Sequence, residues 1–225
     1  MINIPMKSKG AIDRSTLHTL NKKPAPSQKN AKKPVQRQIP PLVKPVQKGQ
    51  KVSIETSSPL RSIKACFGWN AANPDCDADV SAFLLGADGK VPGDSWFVFY
   101  GQTQSPDFST SLHAKPASDI QSITIDFQKL NPHVSKIVFV LTIHEAFQRN
   151  LNFGMMKDAY VRILNAENEA ELVSFKLTDY YSNVISMMIG EVYRHNGIWK
   201  FSAVGNGVAR DLAGLCALYG VQVND

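Results

Sequence analysis

The 225-residue chain is predicted to fold as a β-sandwich, because short β-type segments follow one another along most of its length. About ten segments rich in branched and aromatic residues alternate with turn signals such as Asp-Gly and Asn-Gly. Only one or two segments show the period of a helix, and the clearer of them is C-terminal. About ten short strands with one or two small helices are typical of two packed sheets.

The first 47 residues differ in composition from the rest of the chain. Residues 1–51 hold twelve Lys or Arg and one acid, Asp13, whereas residues 52–225 hold thirteen bases and eighteen acids. A segment rich in Pro, Lys, Gln and Asn cannot bury enough apolar surface to offset the entropy lost on ordering. We therefore predict a disordered basic tail over residues 1–47 and a folded domain over residues 48–225.

The charge of this basic tail suits an acidic protein, an anionic membrane surface or nucleic acid, and a solvated linker is the plain alternative. No aromatic residue interleaves with the charges, so stacking on bases is not indicated. No apolar run reaches the roughly 18 residues of a transmembrane helix, and the N-terminus lacks a secretory signal. Three cysteines without a CxxC spacing argue against a disulfide framework and favour a cytoplasmic location.

The predicted strands are mostly bounded by Gly, Pro, Asn or Asp. The clearest alternation lies in residues 122–127, where Ile123, Ile125 and Phe127 share one face. The continuous apolar run at 136–143 predicts a central strand that is buried on both faces. The remaining predicted strands are residues 51–55, 62–69, 80–85, 96–100, 159–165, 171–177, 184–195 and 198–204.

Two helices and two glycine-containing turns complete the expected fold. Residues 144–153 can form two to three helical turns. Residues 207–220 place apolar side chains on one helical face, and Gly220 is a suitable C-terminal stop. The His-Asn-Gly sequence at 195–197 predicts a hairpin turn. The Gly-Asn-Gly sequence at 205–207 is interpreted as a strand-to-helix turn; the alternative is an anion site at the helix N-terminus.

An acidic segment precedes one of the predicted strands. Asp75, Asp77 and Asp79 occupy alternate positions, which place them on one side of an extended chain. Carboxylates on one side repel one another and therefore need solvent or a cation. Ca²⁺ takes six to eight oxygen ligands, but Val80 and Gly86 stand where an EF-hand needs Gly and Glu. A non-EF-hand metal site and a solvated strand edge both remain open.

No catalytic constellation is found in the sequence. The His-Glu pair at 144–145 lacks the second His of a zinc hydrolase helix, because Gln148 stands in its place. Neither a Gly-x-Ser-x-Gly elbow nor a phosphate-binding loop is present. Cys66 and Cys216 lie in apolar settings, and the aspartates around Cys76 raise the pKa of a thiol. The chain is therefore predicted not to be an enzyme.

Six motifs in a fixed order carry a family resemblance. They are KGQKVSIE (48–55), GWNAANPDCDADVSAFLLGADGKVPGD (68–94), FVFY (97–100), KIVFVLTIHEA (136–146), FGMMKDAYVRILN (153–165) and GEVYRHNGIWKFSAVGNG (190–207). Together they resemble the TerD family of bacterial tellurium-resistance and stress-response proteins. The resemblance implies a cytoplasmic β-sandwich protein that acts with other family members, has no established enzymatic activity and binds Ca²⁺ through clustered acids between loops.

The resemblance carries over only part of that calcium site. The first acidic segment of the family is kept at residues 75–79, and the second at Asp94. The third segment corresponds to residues 105–121, where one acid falls near the family's terminal acids. Affinity for Ca²⁺ falls with the number of charged ligands, so the implied site is weak. The candidate metal ligands are Asp75, Asp77, Asp79, Asp94 and Asp119.

Two functions follow from the sequence. The leading one is a non-enzymatic stress-response module that binds Ca²⁺ weakly and binds other TerD-family or stress-response proteins. The alternative is a metal-free scaffold whose basic tail docks on an acidic partner, a membrane surface or nucleic acid. An enzyme is the least favoured, since it would require His144 or His195 beside a carboxylate in one deep pocket.

Overall fold

The computed structural model of the chain describes residues 12–13, 36–55, 60–114 and 119–224. The strands in this part of the chain are β1 (Ile12–Asp13), β2 (Pro45–Val46), β3 (Lys51–Ser53), β4 (Ser62–Ala71), β5 (Ala78–Leu85), β6 (Phe97–Val98), β7 (Thr110–Ala114), β8 (Gln121–Asp126), β9 (Lys136–Ile143), β10 (Met156–Asn165), β11 (Glu171–Lys176), β12 (Ser186–His195), β13 (Ile198–Val208) and β14 (Val223–Asn224). The helices are α1 (Ala146–Arg149) and α2 (Leu212–Tyr219), with 3-10 turns at Asp94–Trp96 and Phe153–Met155.

Two six-stranded sheets form the body of the fold, which confirms the predicted β-sandwich. Sheet A has the strand order β2-β11-β10-β4-β8-β7, and sheet B has the order β3-β13-β12-β9-β5-β6. Neighbouring strands are antiparallel, except that β2 runs parallel to β11. Strands β1 and β14 form a separate parallel pair. Each of the ten predicted strands contains an observed strand.

Strands β5, β6 and β9 of sheet B are buried on both of their faces. In β9, Ile137, Phe139 and Leu141 belong to the core between the sheets, whereas Val138 and Val140 belong to a second cluster on the outer face. Strands β5 and β6 share this second cluster with helix α2. Side chains of a strand alternate between faces, so double-sided burial requires the uninterrupted apolar run from which this central strand was predicted.

Aromatic rings on the outer face of sheet B form a continuous stack. The ring of Phe97 lies 4.3 Å from that of Phe83 and 4.5 Å from that of Phe99. Tyr219 of α2 packs on Phe83 at 4.5 Å, and Tyr100 meets Phe99 edge-on at 5.2 Å. Such pairs contribute about 0.5–1.5 kcal/mol each beyond the burial of their area. The stack fixes α2 on the sheet and delivers Tyr100 to its edge.

The structure shortens two predicted elements and adds one strand that was not predicted. The strand predicted at 96–100 is reduced to β6, because a 3-10 turn occupies Asp94–Trp96. The helix predicted at 144–153 shrinks to α1, since Glu145 and Asn150 at its two ends both have positive φ, 49° and 52°. Strand β7 was not predicted, because its sequence TSLHA contains one large apolar residue.

The Gly-Asn-Gly sequence at 205–207 lies inside β13 and does not form the predicted strand-to-helix turn. Met188 pairs with Asn206 and Gly190 with Ala203, so two residues of β13 face one residue of β12. This is a β-bulge, and Gly205 in it has φ +58°. Helix α2 begins later, after the N-cap Asp211. The predicted hairpin turn at 195–197 is confirmed, with positive φ at both central residues.

The folded part begins upstream of residue 48. Strand β2 pairs with β11, and the backbone N–H groups of Val43 and Lys44 donate to Glu171 Oε1 at 2.8 and 2.7 Å. Residues 1–11 and 14–35, to which most of the disorder prediction applies, lie outside the described residues. Within the described part of the chain, no helix is long and apolar enough to cross a membrane.

We predict that Gly205→Ala destabilises the protein by about 2–3 kcal/mol. A non-Gly residue in the left-handed region costs about 1–2 kcal/mol, and the added Cβ would lie 3.1 Å from the Phe175 ring. Gly197 is a matched control, because its φ is +80° and nothing lies within 4 Å of an added Cβ. Urea denaturation of both variants separates backbone strain from packing. Equal losses in the two variants would contradict the proposed contact with Phe175.

Candidate functional site

The acids predicted to alternate along one strand lie mostly in a turn. Residues 72–77, called the acidic turn, connect β4 to β5. The N–H of Asp75 donates to Asn73 Oδ1 at 3.0 Å, and the N–H of Asp77 donates to the Asp75 carbonyl at 3.0 Å. Asn before Pro favours such turns, so the extended geometry expected for the three acids starts only at Ala78. Asp75 and Asp77 are exposed, whereas Asp79 lies in β5.

The other two candidate ligands are engaged elsewhere in the fold. Asp94 Oδ1 accepts a hydrogen bond from the N–H of Gln222 at 2.8 Å, next to β14. Asp119 is buried, and it accepts from the Tyr160 hydroxyl and from Arg162 Nη2, both at 2.8 Å. Among the described residues, no group of three or more His, Cys, Asp or Glu is arranged to hold a metal ion. The described part of the chain therefore does not gather three or more of the five predicted ligands at one point.

A pocket of about 90 Å³ opens on the outer face of sheet B. Its floor is formed by Asp79 and Ser81 of β5 and Thr142 of β9, which is paired with Asp79 in the sheet. Asp79 and Ser81 share a face because they stand at alternate positions of one strand. The walls are Phe99, Tyr100, the segment from Ile143 to Gln148, and the first residues of α2, Asp211 to Ala213.

Gln121 of sheet A positions Asp79. Strand β6 pairs with β5 only at Ala82 and Phe83, so the edge of β5 beside Val80 has no neighbouring strand. The Gln121 side chain covers this edge: its Oε1 accepts from the N–H of Val80 at 2.6 Å. Its Nε2 donates to Asp79 Oδ1 at 3.1 Å. One amide group thus satisfies the strand edge and orients the carboxylate of the pocket.

The hydroxyl-bearing residues Ser81 and Tyr100 both line the pocket, and they differ in hydrogen bonding and acidity. Ser81 is 3% exposed, and its Oγ has no hydrogen-bond partner among the described residues. Burying an unpaired hydroxyl is unfavourable, so this oxygen retains hydrogen-bonding capacity that the described fold does not use. Burial, with a smaller contribution from Asp79, raises the pKa of Tyr100 to about 12. The Tyr100 hydroxyl therefore stays protonated at neutral pH.

The start of α2 is fixed by polar contacts beside the pocket. Asp211 caps the helix, since its Oδ1 accepts from the N–H of Gly214 at 2.9 Å. The Ser186 hydroxyl donates to the Arg210 carbonyl at 2.6 Å and so ties this end of the helix to β12. Capping by a carboxylate offsets the positive end of the helix dipole. The pocket therefore does not present an uncompensated helix N-terminus.

The segment after β9 links the pocket to the acidic turn. The N–H of His144 donates to the Asp77 carbonyl at 2.9 Å, and its Nε2 lies 3.5 Å from Glu145 Oε2. Arg149 at the end of α1 lies 3.9 Å from Asp75. Because the Ser81 hydroxyl is unpartnered, no hydrogen bond joins it to His144 as a nucleophile and base would be joined.

The sequence interpretation included Asp79 but missed most of the pocket. Ser81 follows Asp79 at the alternate position of a strand, so the face they share was a usable signal. Tyr100 and Asp211 come from distant parts of the chain, and only the packing of α2 on sheet B brings them to Asp79. Gln121 comes from the opposite sheet and had no sequence signal.

The fold and the pocket define the class of protein: a two-sheet β-sandwich with an acid-lined pocket on the outer face of one sheet. A family model described as the TerD domain matches residues 43–219. The chain is 39% identical over 186 residues to the tellurium resistance protein TerD of Serratia marcescens, with 79% of this chain and 97% of that protein covered. It is 37% identical over 186 residues to general stress protein 16U of Bacillus subtilis, with 78% and 96% covered. The chain belongs to the TerD family.

A solved structure supports the fold. The crystal structure of a homologue of telluride resistance protein (TerD) from Streptomyces coelicolor A3(2) superposes with a TM-score of 0.54. The superposition covers 71% of this chain and 96% of that chain, at 18% sequence identity. A sequence identity of 18% supports a shared β-sandwich fold and gives no information about ligands.

We predict that Asp119→Asn destabilises the protein by about 3 kcal/mol, because it leaves Arg162 without its buried charge partner. Their side chains are 4% and 14% exposed. Asp179→Asn is the control, because Asp179 pairs with Lys48 at the surface, where the two side chains are 43% and 39% exposed. Exposed ion pairs contribute only about 0.2–1 kcal/mol. Urea denaturation in EDTA measures both. The measurement is repeated with Ca²⁺ in place of EDTA. If Asp119→Asn lowers the stability only when Ca²⁺ is present, Asp119 is a metal ligand instead.

We predict that the native protein resists thiol alkylation at pH 8. All three cysteines are free and buried. Burial raises the pKa of Cys66 and Cys216 to about 12 and that of Cys76 to about 11, so almost no thiolate forms. For Cys76 burial is the main cause, and the predicted effect of a neighbouring aspartate is smaller. Mass spectrometry after iodoacetamide treatment checks this; rapid labelling of the folded chain would contradict it.

Proposed function

We propose that this chain is a non-enzymatic binding module of the bacterial stress response, in which a cation at the acidic turn organises a surface for other proteins. Its relatives are named for tellurium resistance and for general stress. One observation carries the proposal: the acidic turn is joined to the rim of the pocket. His144 N–H binds the Asp77 carbonyl at 2.9 Å, and Arg149 lies 3.9 Å from Asp75.

Ca²⁺ is the cation that this turn suits. Asp75 and Asp77 are exposed carboxylates on a short loop, and waters can complete the six to eight oxygen ligands that Ca²⁺ takes. Few protein charges imply a dissociation constant in the range of about 10⁻⁴–10⁻³ M. A cation there would compete with Arg149 for Asp75 and so change the position of α1. We keep Asp79, Asp94 and Asp119 as predicted ligands of lower rank, because each is less exposed than Asp75 and Asp77.

The surface that would respond lies around α1. Phe147 in this helix is 58% exposed, and exposed aromatic residues are enriched where proteins bind partners. The partners we propose are other TerD-family or stress-response proteins. We also propose a cytoplasmic location, which the three free cysteines support because disulfides are rare in reducing compartments.

A metal-free scaffold is the second candidate function. In this case the basic tail docks on an acidic partner, an anionic membrane surface or nucleic acid, and the sandwich binds other family members. The charge difference between residues 1–51 and 52–225 favours it. Binding of nucleic acid would weaken steeply with salt. Capture of the binding partner by the full chain, with and without Lys-to-Gln changes in the tail, separates this function from the first.

We predict that Ca²⁺ at ten times its dissociation constant raises the melting temperature by about 3–6 °C. Such saturation stabilises the folded state by about 1.4 kcal/mol, and about 2–4 °C corresponds to each kcal/mol in a domain of this size. The double variant Asp75→Asn, Asp77→Asn should lose the shift.

The control for this measurement is Asp88→Asn, which changes an exposed acid in another turn. Mg²⁺ at the same concentration tests whether the effect is specific for Ca²⁺. A wild-type chain that shows no shift at 10 mM Ca²⁺ would remove the calcium part of the proposal. It would leave the metal-free scaffold.

A further inference from the structure

The pocket on the outer face of sheet B contains a buried polar atom that the fold does not use. Ser81 is 3% exposed, and its Oγ has no partner among the described residues. Most buried hydroxyls are hydrogen-bonded, and among the buried hydroxyls without a partner in the described residues Ser81 lines this pocket whereas Ser174 does not. We propose that this pocket binds one organic cation: the ammonium or guanidinium group of a lysine- or arginine-type side chain, with its aliphatic stem.

The charge of the pocket selects a cation. Three acids line it, Asp79, Glu145 and Asp211, and no Lys or Arg is among its described lining residues. A concave site with one sign of charge and apolar walls concentrates ligands of the opposite sign. Asp79 is the acid that shares a strand face with Ser81, so it is the carboxylate best placed to bind the same ligand as the Ser81 hydroxyl.

The hydrogen-bonding groups on the floor match an ammonium group. An ammonium group has three donors and no acceptor, and a guanidinium group has five donors. The Ser81 Oγ is a neutral acceptor, and the Asp79 carboxylate is a charged one. Gln121 Nε2 holds this carboxylate in place by donating to Asp79 Oδ1 at 3.1 Å. A charge-assisted hydrogen bond to a carboxylate is roughly twice as strong as a neutral one. The floor thus supplies acceptors where a ligand with only donors needs them.

The walls suit the carbon stem of such a side chain. Phe99, Tyr100 and Phe147 line the pocket. Lysine and arginine bury their stems along apolar surface, and a cation near a Tyr ring gains about 0.5–2 kcal/mol. Tyr100 remains neutral because burial raises its pKa to about 12, so it does not itself add negative charge. A volume of about 90 Å³ admits the end of one side chain rather than a folded segment.

A metal ion fits the same pocket less well. Ca²⁺ requires six to eight oxygens, whereas the lining of this pocket includes the apolar side chains of Phe99, Phe147 and Leu212. The inference is therefore independent of the calcium proposal for the acidic turn. It is tested in EDTA, so that either proposal can fail without the other.

The cation can come from this chain or from another molecule. Residues 14–35 contain Arg14 and five lysines and no acid. On one side of this stretch, β1 pairs with β14, whose Val223 packs on the same cluster as Tyr100 and Leu212 of the pocket lining. On the other side, the N–H of Arg37 donates to Asn70 Oδ1 at 2.7 Å, just before the acidic turn. A basic segment of a partner protein would present the same group.

The test titrates the full chain in EDTA with N-acetyl-lysine methylamide, followed by NMR. The norleucine analogue is the matched probe, because it has the same stem without the ammonium group. We expect the lysine probe to shift resonances of Ser81, Thr142 and Leu212, and the norleucine probe to bind at least tenfold more weakly. Equal binding of the two probes would overturn the proposal, because the ammonium group would then contribute nothing.

Variants assign the binding to the floor of the pocket. Asp79→Asn should weaken the lysine probe at least tenfold, and Ser81→Ala about threefold or more. Ser174→Ala is the matched control, since Ser174 Oγ is also buried without a partner but lies in β11, away from the lining residues. Both Ser variants should keep the wild-type melting temperature. Ser81→Ala and Ser174→Ala with the same affinity as the wild type would show that the Ser81 hydroxyl is not part of the site.

One further variant distinguishes the sources of the cation. It replaces Lys22, Lys23, Lys29, Lys32, Lys33 and Arg14 by Gln in the full chain. If residues 14–35 occupy the pocket, this variant binds the lysine probe more tightly than the wild type, because the internal competitor is gone. If a partner supplies the cation, both bind alike. Absence of probe binding to this variant would overturn the proposal for either source.

Discussion

The burial of β5, β6 and β9 on both of their faces is the constraint on which the rest of the structure depends. Strands β9 and β5 face sheet A with one set of side chains and α2 with the other. Helix α2 is held there by an aromatic stack from Tyr219 through Phe83 to Tyr100. Where this apolar cover ends, the same outer face carries Asp79, Ser81 and Thr142. The pocket is therefore the boundary between the buried and the polar part of one sheet face.

Polar residues at this boundary serve the fold and the pocket together. Gln121 completes the open edge of β5 and orients Asp79, and Asp211 caps α2 while lining the pocket. The acidic turn reaches the same place through the hydrogen bond from His144 to the Asp77 carbonyl. A cation bound at either position would thus act on elements that already hold the sheet and the helix together.

Much of the fold was predictable because local patterns and tertiary packing agree. All ten predicted strands contain observed strands, and the Asn196-Gly197 turn adopts the positive φ values that its sequence indicates. The failures have local causes that packing overrode. Gly205 was interpreted as part of a turn because glycine readily adopts positive φ. In the structure, a bulge inside strand β13 requires that positive φ instead. The helix after β9 was too long in the prediction, because the periodicity of 144–153 could not show that Glu145 and Asn150 adopt left-handed geometry.

The sequence by itself determined the sandwich, the family, the central strand and the presence of acids at 75–79, since each depends on neighbours within a few residues. Only the tertiary structure decided what those acids do. Asp119 and Arg162 are 43 positions apart in the chain, and pairing across sheet A makes them a buried ion pair. Asp79, Gln121 and Asp211 meet through contacts between elements far apart in sequence. Side-chain convergence of this kind depends on strand register and on the packing of α2, which periodicity along the chain does not encode.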